Sequence, residues 1–191
     1  MRVLNELLAD LTSGDETRAE QAARALAAMG EESAQALRRL TNSDDADHRW
    51  WALCALSQSP HLRTEDLLPF LNDPAPEVRQ AAALGLASHP DEAAIQSLVQ
   101  ALSDPDSLVS TLACNALVSI GPACVPSLLN LPKDAPQRAR IYATRALAEI
   151  ADPRAIPALM TALEDESVMI QHWAEEGLER LGLDMVYLKP E

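Results

Sequence analysis

The chain has 191 residues, enough for one domain or one short repeat array with a real core. It is 48% hydrophobic but only 3% aromatic, and its wealth of Ala and Leu with few β-branched residues predicts helices packed through small side chains. Fifteen Lys and Arg against 29 Asp and Glu give a formal charge of −14, which repels nucleic acid and anionic membrane surfaces at long range.

From the start of the chain, Leu4, Leu7, Leu8 and Leu11 recur at helical spacing. Glu6 and Asp10 interrupt them, so this segment does not read as a secretory leader. No later apolar run has bilayer-spanning length. Sliding the sequence over itself then reveals registers that begin at Ser13, Ser43, Asp73, Asp104, Asp134 and Asp165, a step of 30 or 31 residues. Nine residues into each register stand Ala22, Ala52, Ala82, Ala113, Ala143 and Ala174. Thirteen residues in stand Leu26, Leu56, Leu86, Leu117, Leu147 and Leu178. Between them, Ala25, Ala55, Gly85, Ala116, Ala146 and Gly177 hold only the two smallest residues, as expected where helices approach closely.

Each register predicts one helix that buries these columns, preceded by a second such as the one carrying Ile95, Leu98, Val99 and Leu102 or Ile156, Leu159, Met160 and Leu163. Asp152 followed by Pro153 reads as an N-cap and first helical residue, and Gly30, Gly121 and Gly182 fall where left-handed C-caps are wanted. The prediction is an all-α chain of six two-helix repeats over residues 1–182, with residues 183–191 as a tail in which Met185, Val186 and Tyr187 fold back over the last helix. Glu175 and Glu179 replace small or apolar residues on one flank of the last repeat, and Gln21 replaces them on the opposite flank of the first. Such polar flanks suit the ends of a stack, and six repeats are expected to be the whole array.

The registers Asp73-Pro74-Ala75-Pro76-Glu77-Val78-Arg79 and Asp104-Pro105-Asp106-Ser107-Leu108-Val109, with Asp152-Pro153-Arg154-Ala155-Ile156, resemble HEAT repeats of the short bilin-lyase-like type. The resemblance implies a right-handed superhelix whose second helices line the concave side. It is clearest from Asp73 onward and weaker earlier, where Arg18 and His48 take the Val position.

At about 100° per helical residue, the fourth, seventh and eleventh positions of each register point away from the buried face. They hold Trp50, Cys54, Leu84, Leu108, Arg138, Ile141, Arg145, Met169 and His172, which are the candidate partner-binding residues. Trp50 and Trp51 are adjacent and cannot share one stripe, so Trp50 is expected to face outward as an anchor. Trp51, Leu112, Tyr142 and Trp173 share the eighth position and are expected to pack between repeats with their edges on the groove wall. Arg49, Arg79 and Arg140 recur at the sixth position, and a recurring arginine predicts hydrogen bonds to loop carbonyls or carboxylates. Arg138 and Arg145 are seven apart on one face and are expected to meet an acidic group.

Cys54, Cys114 and Cys124 lack metal-ligand spacing and read as reduced thiols of a cytoplasmic protein. The residues after His48, His61, His89 and His172 are Arg49, Leu62, Pro90 and Trp173, so the His-Glu steps of the HEAT-like iron hydroxylases are absent and no metal is expected. No phosphate loop or nucleophile elbow appears either. The leading expectation is therefore a monomeric, non-catalytic scaffold that holds a protein or peptide on its concave face without a cofactor. A second, implied by the resemblance, is a bilin lyase-type subunit or chaperone, in which aromatics stack on an open-chain tetrapyrrole while His172 and Arg145 meet its propionates. A third, a HEAT-like DNA glycosylase, is opposed by the charge and by Glu20, Asp47, Glu77 and Glu176 in the groove.

Overall fold

The repeat begins with a turn that the sequence itself builds. In the computed structural model, which describes residues 2–183, the side chain at each register start accepts the backbone N–H two residues on. Ser13 takes that of Asp15, Ser43 that of Asp45, Asp73 that of Ala75, Asp104 that of Asp106 and Asp165 that of Ser167, at 2.8–3.3 Å. The fifth repeat lacks this bond because the residue two beyond Asp134 is Pro136, which has no N–H. The carbonyl of the register-start residue is used as well. Arg49, Arg79, Ser110 and Gln171, six residues on, donate to the carbonyls of Ser43, Asp73, Asp104 and Asp165. These paired bonds satisfy loop groups that would otherwise be buried without partners.

Every element among the described residues is helical, and the chain groups into two units, Met1–His89 and Pro90–Glu191. The first unit holds α1 (Arg2–Leu11) with α2 (Glu16–Ala28), α3 (Glu31–Leu40) with α4 (Ala46–Ser57), and two 3-10 segments, Thr64–Asp66 and Leu68–Asn72, ahead of α5 (Pro76–Ser88). The second holds α6 (Ile95–Ala101) with α7 (Ser107–Ile120), α8 (Val125–Leu129) with α9 (Gln137–Ile150), and α10 (Ile156–Ala162) with α11 (Val168–Arg180). A 3-10 turn precedes each of α6, α8 and α10. The third repeat departs from the expected helix pair: Pro69 cannot donate within the segment after Arg63, which winds as 3-10 instead of α. No single helix among the described residues is long and apolar enough to cross a membrane.

All twelve residues of the Ala and Leu columns are buried, none more than 5% exposed. Burial of one such leucine contributes about 1.5–3 kcal/mol, and Leu11, Leu37, Leu53, Leu67, Leu98, Leu102 and Leu159 are buried as fully outside the columns. At the small-residue column, a Cβ added to Gly177 would lie 2.8 Å from the Ala148 backbone, and one added to Gly85 would lie 2.5 Å from Ser57 Oγ and 2.8 Å from Leu67 Cδ1. Close helix approach is the reason for glycine at both.

The glycines after the helices differ from expectation in one respect. Gly30 and Gly121 have positive φ (88° and 83°) but ψ of −163° and −142°, the mirror-extended region open only to glycine. A true left-handed cap occurs at Ala151 after α9, with φ 51° and ψ 44°. Arg38, which no periodic column singles out, ties α3 to the 3-10 segments through a fork onto Asp66 (2.9 and 3.0 Å), the His61 carbonyl (2.6 Å) and Glu31 (2.9 Å). The expected fold-back of Met185, Val186 and Tyr187 lies outside the described residues.

Candidate functional site

Two clefts gather most of the outward-facing residues, one in each unit. In the first unit, Asp45 caps α4 by accepting the Asp47 N–H at 2.8 Å, which sets the phase that presents both tryptophans. Trp51 packs on the core built by α1 to α4, while Trp50 is half-buried beside it. Their ring centroids are 4.6 Å apart and their planes cross at 78°. They stand over a cleft of about 630 Å³ that Glu16, Asp45, Asp47 and Glu77 also line. Among the described residues no Lys or Arg lines it, and His48 is the only basic side chain there.

In the second unit, α9 and α11 bound a cleft of about 600 Å³ with the opposite charge. Arg138, Ile141, Tyr142 and Arg145 reach it from α9, Met169 and Trp173 from α11. The Arg145 guanidinium carbon lies 5.4 Å from the Trp173 ring centroid, in cation–π range. Its Nε donates to Glu149 at 2.7 Å and its Nη2 to Asn115 Oδ1 at 3.0 Å, so the guanidinium is held in place with Nη1 left over. The Tyr142 hydroxyl meets Thr111 Oγ1 at 2.7 Å, which fixes the ring as a wall. Tyr142 on α9 and Trp173 on α11 both line this cleft.

Arg138 also serves the fold: its Nη1 donates to the Asp104 and Pro105 carbonyls, both at 2.8 Å, and so braces the preceding repeat's loop. Arg49 and Arg140 follow their prediction. Arg49 forks onto Asp73 at 2.7 and 2.8 Å, and Arg140 reaches Asp165 at 3.0 Å. Burial would raise the Asp73 pKa, but the Arg49 fork and the Ala75 N–H hold it below the ordinary carboxylate value.

Other candidates are not gathered into these clefts. Leu84 and Leu108 are exposed but line neither, and Leu112 is half-buried on α7. His172 is exposed, with its ring 5.3 Å from that of Trp173. Cys54 is half-buried, and burial pushes its thiol up to about 11; burial pushes those of Cys114 and Cys124 up to about 12 and about 11. None of the three is a thiolate near neutral pH. Among the described residues, no group of three His, Cys, Asp or Glu is arranged to hold a metal. Sequence reasoning missed Glu16 and Asp45 as cleft residues, since both belong to helix starts. It also missed Glu149, although the spacing of four from Arg145 is a readable ion-pair signal.

Residues 64–129 and 125–187 match the family described as HEAT repeats. The chain is 36% identical over 107 residues to the phycocyanobilin lyase subunit beta of Nostoc sp. (strain PCC 7120 / SAG 25.82 / UTEX 2576), covering 56% of this chain and 54% of that protein. It is 35% identical over 105 residues to a phycobilisome maturation protein of Synechococcus elongatus, covering 54% and 50%. The chain thus spans about half the length of these curated relatives. Among solved structures it resembles the complex of CpcE and CpcF of phycocyanin lyase from Nostoc sp. PCC7120, with a TM-score of 0.56, 20% identity, and coverage of 92% of this chain and 75% of that one. At that identity the likeness establishes the fold alone. The relatives overturn the leading expectation of a generic non-catalytic scaffold, because they are a phycocyanobilin lyase subunit and a phycobilisome maturation protein. The physical cause of that error is that exposed apolar side chains on a repeat face suit a flat chromophore as well as a peptide. With two matched segments running from residue 64 to residue 187 and a helical 30-residue repeat, the protein belongs to the HEAT-repeat family.

Proposed function

We propose that this chain is a bilin lyase-type subunit that holds an open-chain tetrapyrrole in the cleft between α9 and α11 while the chromophore is attached to or removed from a protein. The observation that carries this reading is the meeting of two guanidinium groups with two aromatic side chains along one open cleft of about 600 Å³. That volume is within the roughly 300–1,000 Å³ typical of small-molecule sites. Pyrrole rings stack on Trp173 and Tyr142, Ile141 and Met169 supply apolar contact, and the propionates pair with Arg145 and the remaining donors of Arg138. The bilin-lyase names of the relatives support the choice of ligand.

The chain's own thiols are held protonated by burial, so in this reading the subunit orients the chromophore and the accepting group belongs to the client protein. The phycocyanin lyase that shares the fold is a complex of two chains, which supports a partner chain for this one as well.

The test is an absorbance titration of phycocyanobilin with the purified protein. A saturable change in the visible band is expected, and Arg145→Leu weakens it about tenfold, the loss of one charge-assisted contact. An unchanged spectrum at high protein concentration would end the proposal.

A further inference from the structure

We infer that the cleft of the first unit is a second binding site, one that takes a guanidinium or ammonium side chain presented by a protein partner. Nothing in the tetrapyrrole reading uses this cleft, and its charge is of the wrong sign for propionates.

Two independent features point to a cation. The first is the tryptophan corner: rings crossing at 78° with centroids 4.6 Å apart present π faces in two directions, and the negative face of an indole attracts a cation more strongly than any other side-chain ring. The second is the lining charge. Glu16, Asp45, Asp47 and Glu77 give the cleft a formal −4, with no Lys or Arg among the lining residues. Arg2, Arg18, Arg24, Arg38 and Arg49 of this unit pair elsewhere, with Glu6, Asp10, Glu20, Glu31, Asp66 and Asp73. Glu16, Asp47 and Glu77 have no ion pair among the described residues.

A helix start also favours a carboxylate, and each of these three residues stands in the first turn of α2, α4 or α5. That preference accounts for single acids at separate helices. It does not account for a half-buried indole standing over the space where they meet, since burying part of so large a ring at the rim beside Asp47 serves no capping role. Size selects the source of the cation. A free alkylammonium fills a small part of about 630 Å³, whereas an Arg or Lys side chain brings its methylenes and flanking backbone along, and the methylenes lie on the indole faces.

The test is calorimetric titration of the full chain with a hexa-arginine peptide, with hexa-glutamate as the anionic counterpart. Because any protein of charge −14 attracts a polycation, the informative comparison is between variants of equal charge. The double variant Asp47→Asn/Glu77→Gln is expected to weaken hexa-arginine binding about tenfold, while Glu175→Gln/Glu179→Gln on α11 changes it less than about twofold. Trp50→Leu, with helicity checked by circular dichroism, weakens it several-fold and leaves the bilin titration unaltered. Equal weakening by the two double variants would overturn the site as mere net-charge attraction. So would full retention in Trp50→Leu, or tighter binding of hexa-glutamate than of hexa-arginine.

Discussion

The two clefts are cut at matching positions of the repeat and filled with opposite chemistry. Register positions four, seven and eight hold Asp47, Trp50 and Trp51 in the second repeat and Arg138, Ile141 and Tyr142 in the fifth; position four of the following repeat adds Glu77 in one case and Met169 in the other. The backbone decides where these side chains project. Which ligand they suit is decided by residues outside the Ala and Leu columns, and so the charge inverts without disturbing those columns beneath. One frame therefore yields an anionic aromatic corner in the first unit and a cationic aromatic trough in the second.

The units also differ in how their repeats are tied, and this difference sets the largest predicted effect. The Arg49–Asp73 fork is well buried, with side chains 11% and 6% exposed, whereas Arg140 and Asp165 share one bond with side chains 33% and 19% exposed. Arg49→Met is expected to cost about 3–5 kcal/mol, because a carboxylate is left buried without its partner. Arg140→Met is expected to cost about 0.2–1 kcal/mol, as for exposed pairs. Urea denaturation of both variants decides the matter, and equal losses would dissolve the contrast.

The same pair predicts a pH dependence. Since the folded pKa of Asp73 is lowered from 3.8, its contribution is complete above that value and declines as pH falls through the folded one. The acid limb of the stability curve should flatten in Asp73→Asn, and an unaltered limb would show that other carboxylates govern acid unfolding.

A smaller contrast concerns the close-packed glycines. Gly177→Ala drives a methyl into the Ala148 backbone and is expected to cost about 1–3 kcal/mol. Gly85→Ala meets only the side-chain ends of Ser57 and Leu67, which move more readily, so thermal melts should show a smaller loss. The smallest effect has the opposite sign. Ala151 carries a left-handed cap at φ 51°, and Ala151→Gly is expected to stabilise the protein by about 1 kcal/mol or less by removing that strain.

How far the site was legible follows from which residues obey the period. A fixed register gives a fixed angle, and the recurring Arg49, Arg79 and Arg140 announced their loop and carboxylate contacts by recurring. Arg138 breaks that logic: its angle is outward, yet its length lets it return to the Asp104 and Pro105 carbonyls of the loop before. Hydrophobic spacing likewise does not register the missing N–H of Pro69, which goes with the 3-10 winding of the segment before α5.

What the sequence by itself determined is the repeat: its period, its buried columns and the turn chemistry at each register start, all of them local or nearest-neighbour consequences of residue type. Only the tertiary structure decided that acids from three helix starts line the cleft under Trp50, that Arg145 meets Asn115 and lies over Trp173, and that Arg38 reaches Asp66 to brace the third repeat. These depend on side chains roughly thirty residues apart meeting across neighbouring repeats, and a linear pattern carries the angle of a side chain but not its reach.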